Sequence, residues 1–260
     1  MLGAIAGDLV GSRFEARPTK RKDFELITSG CRITDDSVLS LAVAQSLMEG
    51  IAYADNLKAF YRLYPQAGYG GNFMLWASSG DSEPYYSFGN GSAMRVSPVG
   101  WYMNTEEDVL REAERSAAVT HNHPEGIKGA QAVALAIFRG RQETEKKAIR
   151  QEIETRFHYD LSRGLKDIRP AYSFDVTCQG SVPEALIAFL ESGDFEDAVR
   201  NAVSLGGDSD TQACIAGAIA EAFFGGVPLA ICLAVFQSLD DFQADVLRRF
   251  LRQTLGGLPC

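Results

Sequence analysis

Apolar residues recur along this chain at the spacing of an α-helix. A spacing of i, i+3, i+4 and i+7 places side chains on one face of a helix. Near the beginning of the sequence, that spacing is followed by Leu2, Ile5, Ala6, Leu9 and Val10. Residues 36–49 repeat the pattern and are followed by Gly50, a residue typical of helix ends. The same periodicity predicts further helices over residues 53–64, 105–118, 125–138, 142–156, 182–191, 194–204, 210–224, 227–237 and 240–254.

Two stretches lack this periodicity. Residues 64–104 are rich in glycine, serine, proline and aromatic residues, and residues 158–181 form a second irregular link. Long segments without secondary structure are uncommon inside compact domains and are often functional. The chain contains no succession of alternating strands and no βαβ rhythm. We therefore predict an all-α bundle, formed by one domain over residues 1–260.

Composition narrows the possible partners. The chain has 260 residues, 46% of them hydrophobic, and a net charge of −9. This acidity argues against nucleic acid as a partner, because phosphate binding requires a basic surface. Residues 213–236 are nearly all apolar, but "FFGGVPLA" interrupts them, which favours two buried helices over a membrane span. Gly7 and Asp8 interrupt the first apolar stretch, so no secretory leader is predicted. We expect a cytoplasmic monomer without a membrane partner.

Two acidic corners begin two of the predicted helices. The first acidic corner is Thr34, Asp35 and Asp36, and the second is Asp208, Asp210 and Thr211. One interpretation is helix capping, since such residues are favoured at helix N-termini. Adjacent carboxylates repel each other, however, and a single capping residue would suffice.

The alternative interpretation is a metal site. If the two helix starts face each other, four carboxylates and two hydroxyls converge, which is costly without counterions. Such oxygen ligands suit Mg²⁺ and Mn²⁺. Four carboxylates carry enough charge for two ions, which lie roughly 3.5–4 Å apart in two-metal sites.

Glu15 is a further candidate from the first helical segment. It follows Asp8 by seven residues, so both acids lie on one helical face, away from the main apolar stripe. Glu15 ends the helical run and is placed to enter a cleft. The alternative is a solvated acid at a helix end.

Four stretches of this sequence resemble the ADP-ribosylglycohydrolases. They are "GAIAGDLVGSRFE", "ITDDSVLSLAVAQSL", "GNGSAMRVSPVG" and "GGDSDTQACIAGAIA", in the order of the family and across nearly the whole chain. The second and fourth are specific when they occur together. The resemblance implies an all-α orthogonal bundle with two Mg²⁺ or Mn²⁺ ions. It places the metal ligands on Thr34, Asp35, Asp36, Asp208, Asp210 and Thr211.

The resemblance also implies a substrate pocket. Near the distal ribose and pyrophosphate of ADP-ribose it places Asn90, Gly91, Ser92 and Met94. The stretch "THNHP" is similar to the family's histidine-bearing segment and places His121 at the ribose or phosphate; a structural imidazole is the alternative. Glu15 or Asp36 would be the catalytic carboxylate that activates water or assists the leaving group.

The activity implied is metal-dependent hydrolysis of the glycosidic bond between ADP-ribose and a modified acceptor. ADP-ribosyl-arginine on protein is the first expectation, and serine-linked or small ADP-ribosyl conjugates are the alternative. A binuclear phosphohydrolase that yields AMP and an inactive ADP-ribose-binding relative also remain open. The sequence departs from the expected pattern at Gln212, where an apolar residue is expected.

Overall fold

The protein is built from helices, as predicted. The computed structural model describes residues 1–257, and within them it contains fifteen helices and no strand longer than one isolated bridge. The first eight are α1 (Leu2–Gly11), α2 (Asp35–Glu49), α3 (Tyr53–Leu63), α4 (Gly71–Ser78), α5 (Gly91–Met94), α6 (Ser97–Tyr102), α7 (Glu106–Ala118) and α8 (Pro124–Arg141). The others are α9 (Lys146–Phe157), α10 (Leu165–Ile168), α11 (Cys178–Leu190), α12 (Phe195–Val203), α13 (Ser209–Phe224), α14 (Leu229–Ser238) and α15 (Asp241–Leu255).

The first irregular stretch is more ordered than the sequence predicts. Residues 64–104 contain the three short helices α4, α5 and α6, of eight, four and six residues. Helices this short span at most about two turns. A periodic apolar pattern becomes visible only over windows of about eleven residues or more. The prediction of an irregular segment was therefore wrong for these parts of it.

Helix α11 begins earlier than predicted. Its first residue is Cys178, and the Thr177 hydroxyl caps it by accepting a hydrogen bond from the backbone N–H of Gly180. The sequence favours a later start because proline is common at the first helical position, whereas Pro183 lies inside this helix. The second irregular stretch, residues 158–181, therefore ends at Thr177 and also contains the short helix α10.

The long apolar run forms two helices rather than one span. Gly225 adopts a left-handed conformation and ends α13, and Pro228 precedes α14. Within residues 1–257, no helix is both long and apolar enough to cross a bilayer. The predicted division into two helices agrees with the structure, but only α13 is almost wholly buried; α14 exposes Leu229 and Leu233.

Helices α1 and α13 pack closely through small residues. Gly3, Gly7 and Gly11 recur every fourth residue along α1 and meet the backbone of α13 at Gly217, Ala213 and Ser209. Because glycine has no side chain, the two backbones approach within direct contact. This approach places Asp8 of α1 beside the beginning of α13, where the second acidic corner lies.

Replacing Gly7 by alanine should destabilise the protein. An added Cβ would overlap the carbonyl oxygen of Ala213, and overpacking of this kind costs about 1–3 kcal/mol or more. Urea unfolding midpoints measure the loss. Gly193→Ala is the control, because nothing lies within 4 Å of a Cβ added there. Equal midpoints for both variants would contradict this account of the α1–α13 contact.

Candidate active site

All residues of the two acidic corners except the buried Thr34 line one cleft. Its volume is about 370 Å³, and it is lined by the ends of several helices and the loops between them. The lining includes the five carboxylates of Glu15, Asp35, Asp36, Asp208 and Asp210. The Thr211 hydroxyl donates a hydrogen bond to Asp36 Oδ2 at 3.3 Å, so side chains of the two corners are in direct contact. Glu15, Asp208 and Asp210 each offer an oxygen within 4.8 Å of the other two.

Capping explains only part of the first corner. The Thr34 hydroxyl occupies the N-cap of α2 and accepts a hydrogen bond from the Asp36 N–H at 3.4 Å. Asp35 and Asp36 belong to the first turn of the helix, and neither side chain caps it. The carboxylates of this corner therefore have no capping role.

The second corner shows the same separation of roles. Asp208 stands at the N-cap of α13, but its side chain makes no capping hydrogen bond. Its Oδ2 instead accepts a hydrogen bond from Asn90 Nδ2 at 2.8 Å. This bond connects the corner to residues 89–95, "GNGSAMR", a segment that includes the short helix α5 and is called the glycine-rich loop below.

Asp8 holds the first acidic corner in place through hydrogen bonds. Its carboxylate accepts hydrogen bonds from the Thr34 N–H at 3.0 Å and the Thr34 hydroxyl at 2.7 Å. The Ser37 N–H donates to it at 3.2 Å, and the Ser37 hydroxyl also donates. Asp8 is fully buried and does not line the cleft. The predicted helical face shared by Asp8 and Glu15 is wrong, because α1 ends at Gly11 and Glu15 lies in the turn region beyond it. The supporting role of Asp8 is also absent from the sequence prediction.

Burial and mutual repulsion make this cluster unfavourable when it is ionised. Burial, followed by the charge of Asp210, raises the pKa of Asp8 to about 7 and of Asp35 to about 8. The same two causes, in the same order, raise the pKa of Asp36 and of Asp208 well above the ordinary value. Among the described residues that line the cleft, Arg95 is the only lysine or arginine.

The donor set fits hard divalent cations. Asp36 Oδ1 is buried, and within residues 1–257 it has no hydrogen-bond partner, an arrangement that leaves a carboxylate oxygen free to ligate. Carboxylate and hydroxyl oxygens are the ligands that Mg²⁺ and Mn²⁺ prefer. Buried charges of one sign are normally paired or coordinate metals.

In metal-stripped protein, the free energy of unfolding should fall as the pH rises from about 4 to about 8. The pKa of each of these aspartates is higher in the folded than in the unfolded state, so the folded state binds more protons in this window and loses stability as they dissociate. Millimolar Mg²⁺ should oppose the loss, by about 2.7 kcal/mol at a hundredfold excess over Kd.

Melting temperatures between pH 5 and 8, with chelator or with Mg²⁺, test this expectation. The double variant Asp36→Asn with Asp208→Asn removes two of the titrating groups, so its pH dependence should be flatter and its response to Mg²⁺ weaker. A metal-stripped protein that becomes more stable between pH 5 and 8 would contradict the prediction.

The glycine-rich loop lies beside the acidic corners. Asn90, Gly91, Met94 and His121 all line the cleft. Met94 Sδ lies 3.7 Å from the Thr211 hydroxyl oxygen. The structure therefore brings four of the five predicted pocket residues together next to the predicted metal ligands.

Ser92 is the exception among the predicted pocket residues. It is completely buried and does not line the cleft. Its hydroxyl donates to the carbonyl of Gly126 at 2.7 Å, an interaction that fixes the loop against α8. Any contact of Ser92 with substrate would therefore involve its backbone.

Two cleft residues come from the second irregular stretch. Phe174 and Val176 line the cleft and are 55% and 48% exposed. The Asn90 N–H donates to the carbonyl of Val176 at 2.7 Å, and the Cys178 N–H donates to the carbonyl of Phe88 at 2.9 Å. These bonds hold the segment against the glycine-rich loop. Sequence reasoning missed both side chains; their only signal is an apolar character unusual for a loop.

Fold and site together define an all-helical protein with an acidic cleft suited to divalent cations. The sequence matches the family model of ADP-ribosylglycohydrolase over residues 1–254. The chain belongs to this family, and it is a hydrolase of glycosidic bonds to ADP-ribose. The family resemblance of the four motifs is thereby confirmed.

The similarity to named relatives is low in identity but extends over most of the chain. ADP-ribosylhydrolase ARH3 of Xenopus tropicalis is 26% identical, and the match covers 86% of each chain. Human ADP-ribosylhydrolase ARH3 is also 26% identical, over 86% of this chain and 84% of its own. ADP-ribosylarginine hydrolase Tri1 of Pseudomonas putida is 24% identical, over 88% of this chain and 71% of its own.

The fold matches a solved structure as well. An "ADP-ribosylglycohydrolase-related protein complex" superposes with a TM-score of 0.73 at 22% identity, and the match covers 97% of each chain. This similarity confirms the predicted all-α fold of the ADP-ribosylglycohydrolase type.

Proposed function

We propose that this protein is a metal-dependent hydrolase that releases ADP-ribose from a modified acceptor, as a single domain over residues 1–260. Two Mg²⁺ or Mn²⁺ ions are its cofactors, and its metal ligands are Thr34, Asp35, Asp36, Asp208, Asp210 and Thr211. The observation that carries the proposal is the contact between the two acidic corners, 175 residues apart in sequence, through Thr211 and Asp36. When bound, the ions would orient the distal ribose and offset charge at the transition state.

Glu15 is placed to transfer a proton. It lies at the cleft between the second acidic corner and solvent, with a side chain that is 38% exposed. Burial and the charge of Asp210 raise the pKa of Glu15, while Arg32 opposes the shift. A raised pKa brings a carboxyl group closer to the range in which general acid–base catalysis is efficient. Asp36 is the second candidate for this role.

The remaining pocket residues would bind the ADP-ribose moiety. Asn90, Gly91, Met94 and His121 extend from the acidic corners along the cleft. The glycine permits close approach of a ligand to the backbone, and Ser92 contributes through its backbone. Phe174 and Val176 present apolar surface at the same cleft.

ADP-ribosyl-arginine on protein is the proposed acceptor linkage. The match to an ADP-ribosylarginine hydrolase supports it. So does the Arg32 guanidinium, which lies 3.8 Å from Glu15 and indicates that a guanidinium fits against this carboxylate. Serine-linked and small ADP-ribosyl conjugates remain the alternative acceptors. We propose a cytoplasmic monomer that uses neither nucleic acid nor membrane as a partner.

Two other functions predict different outcomes. A binuclear phosphohydrolase would use the same acids but release AMP. An inactive ADP-ribose-binding relative is disfavoured, because the chain carries every predicted metal ligand.

The deciding experiment is incubation with arginine- and serine-ADP-ribosylated proteins, with Mg²⁺, with Mn²⁺ and with chelator. Release of free ADP-ribose that requires a divalent ion is the expected result. Release of AMP, or no release from either substrate with either ion, would overturn the proposal.

A further inference from the structure

One of the residues that line the cleft is a buried arginine. Arg95 is only 1% exposed, yet it lines the cleft. Its Nη2 donates to the carbonyl of Ser116 at 3.1 Å and to the Thr120 hydroxyl at 2.7 Å. Within residues 1–257, its Nε and Nη1 have no hydrogen-bond partner. The guanidinium therefore places a full positive charge next to Thr120.

Thr120 connects this charge to a histidine of the cleft. The Thr120 Oγ1 lies 2.7 Å from His121 Nδ1. The other ring nitrogen, Nε2, is directed towards the glycine-rich loop, where a Cβ added to Gly91 would lie 3.1 Å from it. In the described part of the chain, Nε2 makes no hydrogen bond. His121 thus has one nitrogen fixed by the protein and one directed to the ligand side.

We propose that Arg95 and Thr120 are positioning residues that hold His121 in the neutral tautomer with its proton on Nε2. The Thr120 oxygen accepts from Arg95, and its own proton is then donated to His121 Nδ1. The tautomer of a histidine is set by the hydrogen bond that its other nitrogen makes. The Nε2–H therefore faces the cleft as a fixed hydrogen-bond donor. Its use on ADP-ribose rests on the proposed function.

Electrostatics favour this direction of the hydrogen bonds. In the reverse arrangement, an Nδ1–H would point its positive end towards an oxygen already bound to the guanidinium. Placing the Nδ1 lone pair on that side is more favourable. Burial and the charge of Arg95 also lower the pKa of His121 well below its usual range, which keeps the ring neutral. Tyr85 also faces Thr120 and Arg95; the proposed arrangement requires the Tyr85 hydroxyl to donate to the threonine oxygen, so that the threonine proton is left for His121.

The consequence is a donor of fixed polarity in a predominantly acidic cleft. An imidazole whose tautomer is free to change presents an acceptor to the ligand for part of the time. A locked Nε2–H always presents a donor, which suits the phosphate and hydroxyl oxygens of ADP-ribose. Positioning of this kind improves binding without adding a contact, because less reorganisation accompanies ligand binding.

Nitrogen-15 NMR of the histidine rings tests the proposal directly. The chain has only three histidines, and the His121 signals are assigned by their loss in His121→Asn. Long-range proton–nitrogen spectra of the unaltered protein between pH 6 and 8 should show His121 with a protonated Nε2 and an unprotonated Nδ1. A protonated Nδ1 with an unprotonated Nε2, or a titrating ring, would overturn the proposal, whether or not the protein is active.

Two variants of Thr120 separate positioning from a structural role. Thr120→Val keeps the shape but removes the hydroxyl, so the His121 signals should show a mixture of tautomers and ADP-ribose should bind about tenfold more weakly by calorimetry. Thr120→Ser retains the hydroxyl and should restore both. An unchanged tautomer and affinity in a folded Thr120→Val would contradict the proposal. If the unaltered protein binds no ADP-ribose, the proposed function fails, and the tautomer spectra still decide this inference.

Discussion

Replacing both Asp35 and Asp36 by alanine should reduce the release of ADP-ribose by at least about 10³-fold. The substitution removes the two carboxylates of the first acidic corner, including the buried Asp36 Oδ1 that lacks a protein partner. A metal ion bound at a reacting sugar supplies several kcal/mol of transition-state stabilisation, and each 1.36 kcal/mol is a factor of ten in rate. Single-turnover assays with saturating enzyme and millimolar Mg²⁺ measure the loss.

Stability measurements show whether the double variant has lost only the metal site or has failed to fold. Because burial and repulsion raise the pKa of both aspartates, their ionised forms are unfavourable in the metal-stripped protein at pH 8. The double variant should therefore be at least as stable there as its parent, and it should lose the thermal response to Mg²⁺. Retained turnover in a folded double variant would refute the proposed metal site.

A matched control removes two negative charges at positions outside the cleft. Asp55 and Asp241 are exposed acids in the first turns of α3 and α15, away from the cleft lining. The double variant Asp55→Ala with Asp241→Ala should keep both its activity and its response to Mg²⁺. A comparable loss in this control would attribute the effect to overall charge rather than to the corner.

Local signals made the acidic corners predictable from the sequence. A helix start is marked by the onset of periodicity, and two carboxylates at one start exceed what capping requires. The apolar residues of the segments that follow these acids also recur clearly at helical spacing. For these reasons α2, α13 and the acids at their beginnings were identified, while the contact between Thr211 and Asp36 could only be stated as a condition.

The features that the sequence left out depend on contacts between distant segments. Phe174 reaches the cleft because backbone hydrogen bonds tie its segment to the glycine-rich loop, and no local pattern encodes that pairing. The role of Asp8 depends on the approach of the segment that carries Thr34 and Ser37. In the sequence, Arg95 is only one residue of a motif. Its role depends on its burial and on the position of Thr120, which the structure alone shows.

Gln212 is a polar residue at a position where the described part of the structure gives its side chain no partner that would explain it. The family resemblance leads to the expectation of an apolar residue after the second acidic corner, and the position is indeed completely buried. Both polar atoms of its amide lack a hydrogen-bond partner within residues 1–257. Nothing in the structure explains the choice of glutamine there.

The substitution Glu15→Gln should lower the rate of hydrolysis by roughly 10²–10⁴-fold while ADP-ribose binding changes little. Glutamine keeps the shape and most of the hydrogen-bonding capacity, but it cannot exchange a proton as a carboxylate does. A carboxylate oxygen of Glu15 lies within 4.8 Å of carboxylate oxygens of Asp208 and Asp210, and the pKa of Glu15 is raised chiefly by burial. Pre-steady-state rates and calorimetric affinities of the same variant separate the two effects.

The alternative role of Glu15 predicts that the substitution changes the affinity for ADP-ribose rather than the rate of hydrolysis. If this carboxylate only shapes the entrance to the cleft, ADP-ribose affinity should change and the chemical step should not. Glu25→Gln is the control, since Glu25 lies in the same interhelical segment, is exposed and does not line the cleft. Unchanged turnover and affinity in Glu15→Gln would remove Glu15 from the mechanism and leave Asp36 as the candidate base. Because Glu15 is not among the proposed metal ligands, that result would leave the case for the two acidic corners intact.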